Sequence, residues 1–187
     1  MGLTLVIVHY RTREPLARLL ASLRAARPEP LREIVIVNNS GEPLDDLVSG
    51  SGFPTRVLSP GENLGYARGV NAGIRAATEE DILILNPDIQ VLPGSVEALV
   101  RCAEERPRAG IVAPKLVFPD GTLQLSVRRF YNAKTLLLRR LPLGPMAEKS
   151  RAVREHLMAD WNHEETRPVD WALGAALLAR RRAMRDV

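Results

Sequence analysis

The sequence predicts an α/β fold, with a mostly parallel central sheet and helices on both faces. Three observations predict it. Over residues 1–115, short apolar runs alternate with stretches whose apolar residues recur at helical spacing. The apolar runs lack polar alternation, as expected of strands covered on both faces. Strand and helix patterns take turns along the chain, the arrangement that lays successive strands parallel in one sheet.

The elements follow in order. Leu3–Val8 (LTLVIV) is the first strand. Pro15–Arg27 carries Leu16, Leu19, Leu20 and Leu23 on one helical face. Glu33–Val37 is the second strand and Thr55–Leu58 the third. Tyr66–Ala77 reads as a helix and Asp81–Leu85 (DILIL) as the fourth strand. Pro93 suits the first turn of a helix running to Arg106. Gly110–Ala113 is the next apolar strand. After residue 115 the pattern changes. Phe118–Thr122, centred on Asp-Gly, is a turn by its chemistry. Ala133–Leu143 is leucine-rich and basic, Ser150–Trp161 reads as a helix, and Val169–Trp171 and Ala175–Ala179 read as short strands flanking Gly174. The chain thus divides into an α/β subdomain, residues 1–115, and a second region, 116–187.

Composition narrows the function. A chain of 187 residues with 45% hydrophobic content is long and apolar enough for a real core. One cysteine, Cys102, forbids an internal disulfide and no Cys/His cluster has zinc spacing, which points to the cytoplasm. No apolar run approaches the ~20 residues that span a bilayer. Met1–Tyr10 lacks a basic leader and a cleavage site, so it reads as a strand rather than a signal peptide. Between Arg128 and Arg154 lie eight basic residues and one acidic residue, Glu148. That run is either a solvated surface or a patch facing an anionic partner such as a phospholipid surface or lipid diphosphate. Lys134–Leu143 (KTLLLRRLPL) would suit a peripheral contact on the inner face of the membrane or a segment packed on the domain. Aromatic residues are 4%, with no stacking platform among the basic ones, which argues against nucleic acid.

Ligands of parallel sheets bind outside the carboxyl ends of the strands, so the segments that follow each strand carry the chemistry. In ILILNPDIQV an apolar strand runs into Asn86-Pro87-Asp88. A carboxylate there is costly to bury unpaired and offers one hard oxygen ligand to Mg²⁺ or Mn²⁺, completed by phosphate oxygens and water. It could equally cap the following turn. In NLGYARGVNAGI, from Asn63 to Ile74, three glycines and two asparagines fall at the start of a helix. Glycine permits close backbone approach and a helix N-terminus favours an anion; tight packing on the sheet explains the same residues. Asn38-Asn39-Ser40-Gly41 could read a base edge or simply form a turn.

Together these segments resemble the inverting family 2 glycosyltransferases, whose fold is the Rossmann-like GT-A fold, and especially their rhamnosyltransferase-like members. VIVHYRT, VIVNNSG, NLGYARGVNAGI, LNPDIQV, FPDGTLQLSVRRF and VDWALGAALLARR match in order over nearly the whole chain. The resemblance implies that residues 1–115 bind a nucleoside diphosphate sugar (UDP-, dTDP- or GDP-linked) and that 116–187 lies on the side of a glycan or lipid-linked acceptor. It implies that His9, Tyr10 and Thr12 line the base and ribose pocket, that Asn38 stands where the family has a base-contacting aspartate, and that Asn63, Arg68 and Asn71 border the diphosphate or base. Asp88 would hold the divalent metal, with Asn86 at the first position of the family's D-x-D motif. Asp170, Trp171 and Gly174 would approach the sugar or acceptor. Asn38 and Asn86 both depart from the family's aspartates, which opens the base identity and leaves Asp88 as the charged metal ligand. The family's catalytic base is expected beyond Val187, with Asp170 the nearest candidate within the chain. A nucleotidyltransferase would need a glycine-rich loop after the first strand, where this chain has HYRTREP. A non-catalytic nucleotide-sugar-binding or membrane-associated module is the remaining alternative.

Overall fold

The computed structural model describes residues 2–131 and 150–184. The basic stretch Lys134–Leu143 and residues 133–143 as a whole lie outside them. Two compact units emerge: Met1–Pro114 with Gly174–Val187, and Lys115–Leu173. They depart from the division at 115/116 drawn on the sequence, because Gly174–Val187 returns to the first unit.

The first unit is built on a six-stranded sheet. Its elements are β1 (Leu3–His9), α1 (Arg13–Ala26), β2 (Leu31–Asn38), α2 (Asp45–Ser49), β3 (Thr55–Leu58), α3 (Gly65–Ala76), β4 (Asp81–Leu85), α4 (Ser95–Glu105) and β5 (Ile111–Val112). The strand order is β3-β2-β1-β4, all parallel, followed by the late strand β10 (Ala176–Arg180) and then β5, both joined antiparallel. The mostly parallel sheet expected from the apolar runs is therefore present. What periodicity could not show is that the strand after Gly174 enters between β4 and β5 in the opposite direction.

Burial explains the runs. Every residue of β1 and β4 is buried. Val6, Val35, Ile82 and Ile84 form one apolar layer with Ala179, and Val70 and Ile74 of α3 pack on it. Residues of the opposite parity, Leu5, Ile7, Ile34, Ile36 and Leu83, are buried too, so the sheet is covered on both faces. Helix α1 buries Leu16, Leu19, Leu20 and Leu23, the four residues that defined it in the sequence. Helix α3 lies close because it lacks side chains where it meets β1: a Cβ on Gly69 would stand 2.9 Å from Val8 Cγ1, and one on Gly73 would overlap Val6.

Two boundaries differ from expectation. Pro93 precedes α4 instead of opening it, because Gly94 takes a left-handed conformation (φ 77°) at the N-cap and the helix begins at Ser95. The short helix α2 has no apolar repeat to announce it. It is held from outside, where Arg13 donates to both Asp46 carboxylate oxygens at 2.7 and 2.6 Å.

The second unit holds two small antiparallel pairs. Strands β6 (Leu116–Val117) and β7 (Leu123–Gln124) enclose the expected Asp-Gly turn, in which Asp120 Oδ1 accepts from the Thr122 backbone and hydroxyl. Strand β8 (Val127–Arg128) pairs with β9 (Trp171–Ala172). The helix expected over Ser150–Trp161 is only α5 (Arg151–His156). Ser150 caps it by accepting from Val153 N, and Met158 at φ 50° then turns the chain out of helical geometry. A last turn, α6 (Arg181–Met184), follows β10 in the first unit.

Candidate functional site

In parallel strands the C-terminal residues align, and register places His9 of β1 beside Asn38 of β2. The loops leaving β1, β2 and β4 thus open on one edge of the sheet.

His9 is fully buried. Its Nε2 stands 2.7 Å from Glu42 Oε1 and its Nδ1 2.9 Å from Thr12 Oγ1. An ionised carboxylate only accepts, so Nε2–H donates to Glu42, while Nδ1 shares a hydrogen bond with the Thr12 hydroxyl. Hydrogen bonds from His9 and then from Ser40 hold the Glu42 carboxyl below the usual carboxylate range. Glu42, Ser40, Arg11 and Arg13 line a cavity of about 350 Å³ at this edge. Tyr10 is exposed, with the Arg11 guanidinium carbon 5.2 Å from its ring centroid. Sequence reasoning missed Glu42. The signal available was an acidic residue just past the second strand, within reach of a histidine ending the first.

Asn38 is buried and turned inward. Its Oδ1 accepts from Ser40 N, Ser40 Oγ and Gly41 N, and its Nδ2 donates to Glu42 O at 2.7 Å. The side chain thus organises the turn that carries Ser40 and Glu42. The amide suits this work, since it supplies a donor and an acceptor together.

Helix α3 brings its N-terminus to the same edge. Asn63 Oδ1 accepts from Gly65 N, and Asn39 Nδ2 donates to Gly65 O. Gly65 sits at φ 73°, a conformation that costs other residues strain. Arg68 and Asn71 are exposed on α3, and Arg68 Nε donates to Leu64 O. Tyr66 reaches across to donate its hydroxyl to Gly174 O at 2.6 Å, and burial raises its pKa. Ala175 O in turn accepts from Asn86 N. Gly174-Ala175 therefore links the start of α3 to the exit of β4.

At that exit Asp88 is exposed, and among the described residues its carboxylate takes no hydrogen bond or ion pair. It caps nothing, so the capping reading is not what the structure holds. No group of three His, Cys, Asp or Glu side chains is gathered among the described residues. The donor set fits a hard divalent cation only as a partial site, one carboxylate with the neighbouring Asn86 amide, completed by oxygens from a ligand.

Asp170 and Trp171 belong to the second unit. Asp170 Oδ2 accepts from Phe130 N at 2.7 Å, and Trp171 Nε1 donates to Arg129 O at 3.3 Å. Both side chains hold the segment beside β8.

The model of the family described as Glycosyl transferase family 2 matches residues 4–162. The chain belongs to glycosyl transferase family 2. An N-acetylglucosaminyl-diphospho-decaprenol L-rhamnosyltransferase of Mycobacterium tuberculosis is 31% identical over 199 aligned positions, covering 99% of this chain and 63% of the relative. This family 2 domain therefore spans somewhat under two thirds of that relative's length. An uncharacterized glycosyltransferase of Bacillus subtilis, YwdF, is 31% identical over 54% of the chain and 38% of its own length. Among solved structures, a mannosyltransferase from Pyrobaculum calidifontis in complex with GDP-Man and Mn²⁺ superposes with a TM-score of 0.54 at 19% identity, covering 63% of this chain and 36% of that one. S. aureus TarS in complex with UDP-GlcNAc gives 0.55 at 16% identity, covering 62% and 34%. These likenesses show the GT-A fold of the family 2 domain. No helix among its described residues is long and apolar enough to cross a membrane.

Proposed function

We propose that this family 2 domain binds a nucleoside diphosphate sugar at the carboxyl edge of its sheet and serves an inverting, metal-dependent transfer of the sugar to a lipid-linked or glycan acceptor. The observation that carries the reading is the exposed Asp88 carboxylate at the exit of β4, which bonds to no other side chain or backbone group among the described residues. An acid so placed at the position of the family's metal motif is free to meet a cation. A divalent cation, Mg²⁺ or Mn²⁺, held by Asp88 with Asn86 beside it, would neutralise charge on the leaving diphosphate.

The chain's own residues take the remaining roles. The His9–Glu42–Thr12 set, with Tyr10 and the Asn38 turn, shapes the cavity assigned to the base and ribose. The N-terminus of α3, with Asn63, Arg68 and Asn71, is assigned to the diphosphate side, where backbone N–H groups favour an anion. Gly174 is assigned to the donor sugar. Asp170 and Trp171 are assigned to the acceptor side, residues 116–187. In an inverting transfer a carboxylate takes the proton of the acceptor hydroxyl as its oxygen attacks the anomeric carbon opposite the leaving group. Asp170 already accepts from Phe130 N, which fits it for positioning rather than for that proton transfer; we assign no base among the described residues.

The mycobacterial relative's name places a lipid diphosphate in its acceptor, and the solved neighbours hold GDP-Man and UDP-GlcNAc. These support a sugar nucleotide donor and a lipid-linked acceptor here. We place the domain's action in the cytoplasm at the inner face of the membrane, and the basic, leucine-rich composition of 134–143 is what suggests that stretch as the contact. The deciding experiment is calorimetric titration of UDP, dTDP and GDP with and without Mn²⁺. Asp88→Ala is expected to lower the Mn²⁺-supported affinity by about tenfold or more, ~1.4 kcal/mol, with the thermal transition preserved. Unchanged affinity in that variant overturns the metal assignment.

A further inference from the structure

The second unit gathers a cluster of buried ring and guanidinium nitrogens. Trp161 and His163 stack with ring centroids 4.0 Å apart, and the Arg167 guanidinium carbon lies 4.1 Å from the Trp161 centroid. Two groups this close cannot share one face of the ring, so Trp161 is sandwiched between Arg167 and His163. Trp161 Nε1, His163 Nε2, and Arg167 Nε and Nη2 are buried without a hydrogen-bond partner among the described residues. Indole and guanidinium nitrogens only donate, so moving protons among them removes nothing; the deficit calls for an acceptor.

Charge points the same way. Among the described residues no carboxylate pairs with Arg167. Burial first, and then the cations Lys115 and Arg167, hold the His163 imidazole below its ordinary pKa. Buried polar nitrogens are almost always satisfied in native proteins, and a group of them beside two cations is the setting that an oxyanion completes.

We propose that Trp161, His163 and Arg167 form an anion site for a phosphate or diphosphate group. The guanidinium fork matches phosphoryl oxygens with two parallel donors, and a phosphoryl group has a third oxygen for the indole N–H. Both faces of Trp161 are covered, so it is not a stacking platform for a sugar. Assigning the phosphate to a lipid-linked acceptor rests on the transferase reading above; the anion site does not.

The test uses the full chain labelled with ¹⁵N and titrated with inorganic pyrophosphate. Its two tryptophans give two indole signals. The Trp161 signal is expected to move downfield and saturate, whereas the Trp171 indole N–H, already bonded to Arg129 O, has no free donor to offer the anion. Arg167→Gln is expected to weaken the response about tenfold. Asp88→Ala is expected to leave it unchanged, so failure of the donor-site reading and failure of this one are seen separately. Geranyl diphosphate moving the Trp161 signal where UDP does not would assign the group to a prenyl acceptor; UDP moving it would assign the same site to a nucleotide. A Trp161 signal indifferent to pyrophosphate in the unmodified chain, or an equal response in Arg167→Gln, overturns the proposal.

Discussion

The two units of this chain are held together by different physics. In the first, long strands are buried end to end, as in β1 and β4, and polar side chains concentrate where the strands stop. In the second, each of the four strands among the described residues has two residues. Its geometry depends on individual side-chain bonds such as Asp170 to Phe130 N and Trp171 to Arg129 O. An apolar sheet tolerates change at its loops because its core is independent of them. A unit built on single polar bonds alters its surface whenever one bond is altered.

Substitutions at three positions sharpen this contrast. Ile36→Ala, at a fully buried position of β2, is expected to cost about 2–5 kcal/mol of unfolding free energy, measured by urea denaturation. A loss comparable to that of an exposed substitution would break the picture of the first unit.

Glu33 gives an intermediate effect that depends on pH. Burial pushes its carboxyl up, but hydrogen bonds from Thr78 and Thr4, together with Arg56, outweigh this and hold it below the usual carboxylate range. A carboxyl whose folded pKa is depressed contributes stability above its unfolded pKa, ~4.3. That contribution is lost as pH falls through the folded value. Urea midpoints should therefore drop on acidification below that range. Glu33→Gln should be destabilised by about 1–3 kcal/mol near neutrality and show a flatter acid limb. An acid limb equally steep in the variant would show that other carboxyls carry the dependence.

The smallest effect is expected in the second unit. Asp170→Ala removes an acceptor from an exposed amide and should cost about 0.5–1.5 kcal/mol, whereas Asp170→Asn keeps the accepting oxygen and should cost little. If sugar transfer nevertheless collapses in Asp170→Asn at unchanged stability, Asp170 acts as an acid or base rather than as a positioning residue.

Much of the first unit was legible in advance because continuous apolar runs and the Leu16/Leu19/Leu20/Leu23 spacing have few solutions. The candidate site was legible as a set of loops, through Asn86-Pro87-Asp88 and the glycines of α3. Its wiring was not. Asn38 stands where the family places a base contact, yet it spends its amide on Ser40, Gly41 and Glu42. Glu42 carried no motif at all.

The amino-acid sequence alone determined the parallel sheet, its strand-end loops and the family, since each follows from local periodicity or contiguous motifs. The tertiary structure decided what depends on distant partners. It brought Ala176–Arg180 antiparallel beside β4, joined Tyr66 to Gly174, set Glu42 against His9 and left Asp88 unengaged among the described residues. Contacts between residues as many as 108 positions apart leave no trace in a local pattern; they exist only once burial of the apolar runs has drawn the loops to one edge.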